Sequence, residues 1–172
     1  EWPEGADGDG PSLELINPGL ANDNGGAWRA SVAANGTPGA VNSVAEVNPA
    51  PVISGVRHSP PLPMADQAVT ITARVVDDGV AAPGATLYFR EDLDPPVDYD
   101  GMPRCDDGLH GDGEAGDGVY GATVPGMADQ AQLDFYVEAD DGVGTTIAPA
   151  GHATPDQYGN PSQTYLCRFT NE

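Results

Sequence analysis

The chain has 172 residues, enough for one large β domain or two small ones, and carries 27 acidic against six basic residues for a formal net charge of −21. All six basic residues are arginine (Arg29, Arg57, Arg74, Arg90, Arg104 and Arg168), and a field of that sign repels phosphate backbones and anionic membranes, which argues against nucleic acid as a partner. Hydrophobic residues at 39% argue against a disordered acidic tail, while 23 Gly and 17 Pro favour short strands joined by turns over helices.

In chain order, residues 12–17 (SLELIN) alternate as a short strand with Leu13 and Leu15 on one face. NPGLANDNGG is turn material, and Ala27 to Ala33 predicts a second strand with Trp28 buried. Asn35 to Ser43 is a turn-rich exit, and Val44 to Pro51 reads as an interdomain linker. From there the pattern is regular. Val52 to Ser59 predicts an edge strand, and Ala68 to Asp78 a second with Val69, Ile71, Ala73 and Val75 on one face. Gly84 to Glu91 predicts a third, with Leu87 and Phe89 to one side. DLDPPVDYDGMPRC is irregular, and an acidic loop follows. GVYGATVP, Gln132 to Asp140 and Thr164 to Thr170 complete the set, the last two separated by the turn DDGVGTT and a long loop, APAGHATPDQYGNPSQ. Six or seven short strands without helices predict an all-β, immunoglobulin-like or fibronectin type III-like sandwich. The domain boundaries expected are 1–45, a linker at 46–51, and 52–172. No apolar run approaches the roughly 18 residues of a membrane span. With no signal peptide and an abrupt opening at Glu1-Trp2-Pro3, the chain reads as a piece of a longer protein.

The acidic loop packs four Asp, one Glu and five Gly into the fifteen residues Asp106 to Tyr120. Carboxylates this close repel one another unless a cation or solvent screens them, and glycines let the backbone turn and present carbonyls. Two readings compete. In one, Asp106, Asp107, Asp112 and Asp117 hold Ca²⁺, although the spacing is not that of an EF-hand. In the other, the loop is solvated and its Asp side chains make Asx-turns to nearby amides. Asp77-Asp78 and Asp140-Asp141 pose the same choice: a shared cation or, favoured because each pair precedes a Gly, two tight turns.

Cys105 and Cys167 predict a disulfide in an oxidising compartment, tying the acidic loop to the last strand. Neither has a second Cys or a His at the usual zinc-ligand spacing, which argues against zinc. His58, His110 and His152 are scattered, and no nucleophile elbow, HExxH or phosphate loop occurs, so no enzymatic activity is expected. Tyr88, Phe89, Tyr99, Tyr158 and Tyr165 are candidates for an exposed sugar-binding platform, against which stands core packing for Phe89, Phe135, Val137 and Phe169.

Two stretches carry a family resemblance. GPSLELINPG, the Trp of AWRAS and the ending GTPGAVNS resemble the C-terminal end of a bacterial lamin-tail domain. VTITARVVDDG, LYFR, MPRCDDGLHGDGEAGDGVYGATVPG and FYVEADDG resemble the β-sandwich module that follows such domains in large secreted bacterial proteins, often alongside spore-coat-kinase-like domains. The resemblance implies a non-catalytic accessory module, secreted or on the cell surface. DLDPPVDY and the two cysteines depart from the family pattern. The function expected is therefore a Ca²⁺-stabilised structural or adhesive unit whose partners are other protein domains or further copies of itself. The alternative is a carbohydrate-binding accessory module of a secreted hydrolase, with polysaccharide as partner.

Overall fold

The structure, a computed structural model, describes residues 2–8, 10–79, 83–150 and 163–171. His152 and Tyr158, with most of the long loop that holds them, lie outside the described residues. The fold is all-β, built of antiparallel sheets, and the described residues include no long helix. None of their helices is long and apolar enough to cross a membrane. The strands are β1 (Leu13–Leu15), β2 (Trp28–Ala30), β3 (Val52–Ser59), β4 (Val69–Val76), β5 (Gly84–Glu91), β6 (Asp100–Arg104), β7 (Val119–Val124), β8 (Gln132–Asp140), β9 (Thr145–Ala148) and β10 (Tyr165–Arg168).

The chain divides into two compact units. The larger comprises Ile53–Val75, Gly84–Ala139 and Thr146–Glu172. One of its sheets runs β10-β8-β5-β6 with β9 also on β8, and the other runs β3-β4-β7. Alternation decides which side chains turn inward. Val69, Ile71 and Ala73 of β4, Ala122 and Val124 of β7, Leu87 of β5, and Leu133, Phe135 and Val137 of β8 form one buried cluster with Cys167 and Phe169. Phe89 and Tyr165 pack against it. The strand faces read from the sequence for β4, β5 and β8 therefore agree with the core.

Two strands were not evident in the sequence. β6 contains Pro103, which has no amide to give a ladder, and it is tolerated because β6 closes the end of its sheet, beside β5 alone. β9 follows the turn after β8 directly, so its four residues merged into the loop pattern.

The smaller unit comprises Glu1–Val52, Val76–Pro83 and Asp140–Thr145. β1 and β2 pair antiparallel, with Glu14 opposite Arg29. Ile16, Leu20, Ala27 and Val52 form its core, and Trp28 packs against them half-buried rather than enclosed. Glu14 and Ile16 are buried and Leu13 is exposed, while Leu15 is half-buried and packs against the same core. Glu14 is only 4% exposed because its carboxylate is fully used: Oε1 accepts from Thr37 Oγ1, and Oε2 accepts from Ser43 N and Ser43 Oγ, both at 2.7 Å. Residues 46–51 belong to this unit, and the Glu46 amide donates to the Ile16 carbonyl at 3.0 Å.

Candidate functional site

The acidic loop connects β6 to β7. Its five glycines, Gly108, Gly111, Gly113, Gly116 and Gly118, all have φ between 73° and 106°, the left-handed region that glycine enters without cost. This repeated reversal folds the loop onto itself and turns its amides inward. The carboxylates receive them. Asp112, 2% exposed, accepts from the amides of Asp107 (2.8 Å), Gly108 (3.0 Å) and His110 (3.0 Å). Burial opposes its ionisation, but those amides outweigh burial and hold its pKa below the ordinary value. Asp106 accepts from the amides of Gly116 (2.7 Å), Asp117 (3.2 Å) and Gly118 (3.0 Å). Asp117 accepts from Glu114 N at 3.2 Å and Val119 N at 2.8 Å. Asp107 Oδ1 takes the Leu109 amide at 3.0 Å and lies 2.9 Å from His110 Nδ1, and the His110 bond leads the causes that lower its pKa.

Oxygen donors suit Ca²⁺, but among the described residues no three of these four aspartates bring carboxylate oxygens within 4.8 Å of one another. Asp112 gathers the amides of the first half of the loop, and Asp106 and Asp117 those of the second. Among the described residues, a different trio converges: ligand atoms of Cys105, Asp107 and His110 all lie within 4.8 Å of one another. A Cys and a His five positions apart match no familiar metal spacing. The turn over 107–110 brings them together, so Cys-x-Asp-x-x-His inside a glycine-rich loop was the signal available in the sequence.

The expected disulfide is not formed, and both cysteines are free thiols. Cys105 sits where its backbone bridges Gly121 of β7, with its sulfur beside Asp107 and His110. Cys167 points from β10 into the core, where burial raises its pKa.

The other aspartate pairs make turns. Asp141 Oδ1 accepts from Val143 N (2.8 Å) and Gly144 N (2.7 Å), and its Oδ2 from Asn48 Nδ2 (2.8 Å). Asp140 accepts from Gly142 N at 2.8 Å and from Thr145 Oγ1. Asp77 accepts weakly from Gly79 N at 3.3 Å, and Asp78 from Asn17 Nδ2 at 3.1 Å. His58 Nδ1 lies 3.1 Å from the Pro60 carbonyl, well away in sequence from the loop's His110.

On the outer face of β5 and β8, Tyr88 and Tyr136 stack with centroids 4.8 Å apart, and Tyr99 meets Tyr136 edge-on at 5.0 Å. Arg90 covers the Tyr99 ring at 4.2 Å and ion-pairs through Nε with Asp134 at 2.9 Å. Tyr99 Oη donates to the same Asp134 oxygen at 2.7 Å. Burial, then the neighbouring charges, pushes the Tyr136 phenol up to about 12. Of the sequence candidates for a sugar platform, Tyr88 and Tyr99 belong to this group, while Phe89 and Tyr165 join the core. Tyr136 was missed because alternation marks only that it shares a face with Asp134 and Glu138.

No family model matches the chain, and no curated protein matches it.

Proposed function

We propose that this chain is a non-catalytic extracellular module of immunoglobulin-like or fibronectin type III-like type, serving a larger secreted or surface protein as a structural or adhesive unit. The observation that carries this is how the carboxylates are spent. Asp106, Asp112, Asp117 and Asp141 each accept two or more backbone amides, which builds loops rather than leaving groups poised for chemistry. The lysine-free, strongly acidic composition and the resemblance to secreted bacterial modules support the extracellular setting. Calcium is tested by melting the protein with EDTA and again after Ca²⁺ add-back. A loop held by its own amides predicts an unchanged Tm, whereas a rise on add-back at moderate salt would return calcium to a structural role.

The tyrosine group favours a second reading, a carbohydrate-binding accessory module. The half-buried rings of Tyr88, Tyr99 and Tyr136, with the half-buried Glu138 beside them, offer a sugar apolar ring surface and a hydrogen-bond acceptor, while Arg90 and the buried Asp134 hold Tyr99 in place. Retention on immobilised polysaccharide that Tyr136→Ala abolishes would establish it. Equal retention of the variant, or none by the native chain, leaves the structural reading alone.

A further inference from the structure

We infer that Cys105, Asp107 and His110 form a binding site for a borderline divalent transition metal of the Zn²⁺ class. Thiolate sulfur, imidazole nitrogen and carboxylate oxygen are the three donor types that Zn²⁺ takes, and Ca²⁺ takes only the last. Their ligand atoms already lie within 4.8 Å of one another, so a single ion reaches all three with small side-chain movements. Three protein ligands leave a fourth tetrahedral position to water.

Each ligand is held by backbone that is itself fixed. Cys105 exchanges two hydrogen bonds with Gly121, N to O at 3.1 Å and O to N at 2.8 Å. Asp107 and His110 both give their amides to the buried Asp112, at 2.8 and 3.0 Å. Asp112 thus orients two ligands without touching the ion, the part that supporting residues play around metals. Asp107 and His110 remain accessible, with side chains 40% and 42% exposed, so an ion has an entry path. Binding removes the thiol proton from Cys105 and releases it to solvent, while His110 coordinates as the neutral ring. No electron is transferred. The site is independent of what the module binds, and its loss leaves the proposed function standing.

The test is a titration of the reduced, metal-free full chain with Co²⁺, followed by displacement with Zn²⁺ in the presence of excess Ca²⁺. One equivalent of Co²⁺ should produce a thiolate-to-cobalt charge-transfer band that Zn²⁺ abolishes and Ca²⁺ does not. Cys105→Ser should remove the band, Cys167→Ser should keep it, and Asp112→Asn should weaken binding by about 10–100-fold. A measurement without variants guards against misfolding: Zn²⁺ should protect Cys105 from alkylation, read by peptide mass mapping. A band that survives in a folded Cys105→Ser, Co²⁺ uptake that Ca²⁺ displaces, or alkylation of Cys105 indifferent to Zn²⁺ would overturn the proposal.

Discussion

Arg104 places a guanidinium in the interior at 5% exposure, at the end of β6. Its Nη2 donates to the Ile71 carbonyl, but Nε and Nη1 have no hydrogen-bond partner among the described residues. Burial lowers its pKa to about 10, the direction in which desolvation drives any cation. Each unsatisfied buried donor costs about 1–3 kcal/mol, and loss of one bond to Ile71 offsets part of any gain. Arg104→Met, of similar reach and apolar, should therefore raise the unfolding free energy by about 1–2 kcal/mol in urea denaturation. A clear loss of stability would mean that the charge is satisfied in solution. Glu14 is the contrasting case, a buried charge with every oxygen engaged.

At the scale of elements, the junction of the acidic loop with β7 depends on one missing side chain. A Cβ at Gly121 would stand 2.5 Å from the His110 carbonyl oxygen and 3.1 Å from Asp112 Cβ. The nearest obstacle is backbone, which cannot rotate away. Gly121→Ala should destabilise by about 1–3 kcal/mol, the usual cost of overpacking, and raise hydrogen exchange at the amides of 107–110 before the rest of the sandwich. Uniform exchange across the molecule would count against so local an effect. β4, β5 and β8 were legible because one face of each is filled by apolar residues at period two. β6 was not, since proline and aspartate read as loop until an edge position is known. β1 was legible as a strand but not in the burial of Glu14, which only Thr37 and Ser43, more than twenty residues away, make tolerable. The acidic loop showed its composition, and amide-accepting Asp side chains were one of its two readings, but not that Asp107 would stand beside His110 and Cys105.

At the scale of the molecule, a charge of −21 opposes compactness, while particular carboxylates reinforce it. Glu14 ionises more readily in the fold than at its ordinary 4.5, chiefly through the Thr37 hydroxyl and then Ser43. Asp107, Asp112 and Asp141 are likewise depressed from 3.8, Asp141 first by the Gly144 and Val143 amides. A depressed carboxyl contributes its stability above the unfolded pKa and loses it as pH falls through the folded one. Melting followed against pH should therefore hold near neutrality and drop below about pH 4. At pH 7, raising salt from about 10 to 150 mM shortens the screening length from roughly 30 to 8 Å and should raise Tm. A Tm indifferent to salt, or one that climbs steadily into acid, would contradict this division of roles.

The paired hydrogen bonds between Cys105 and Gly121 have a mechanical consequence. Cys105 extends the strand that ends one sheet, and Gly121 lies in the strand that ends the other. At that side the two layers are joined by main chain, not only by the apolar contacts between them. Contacts between greasy surfaces resist separation but yield to sliding, whereas two opposed amide–carbonyl bonds must both break before the layers slip. The main chain thus rivets the two layers against shear at the very place where the acidic loop begins.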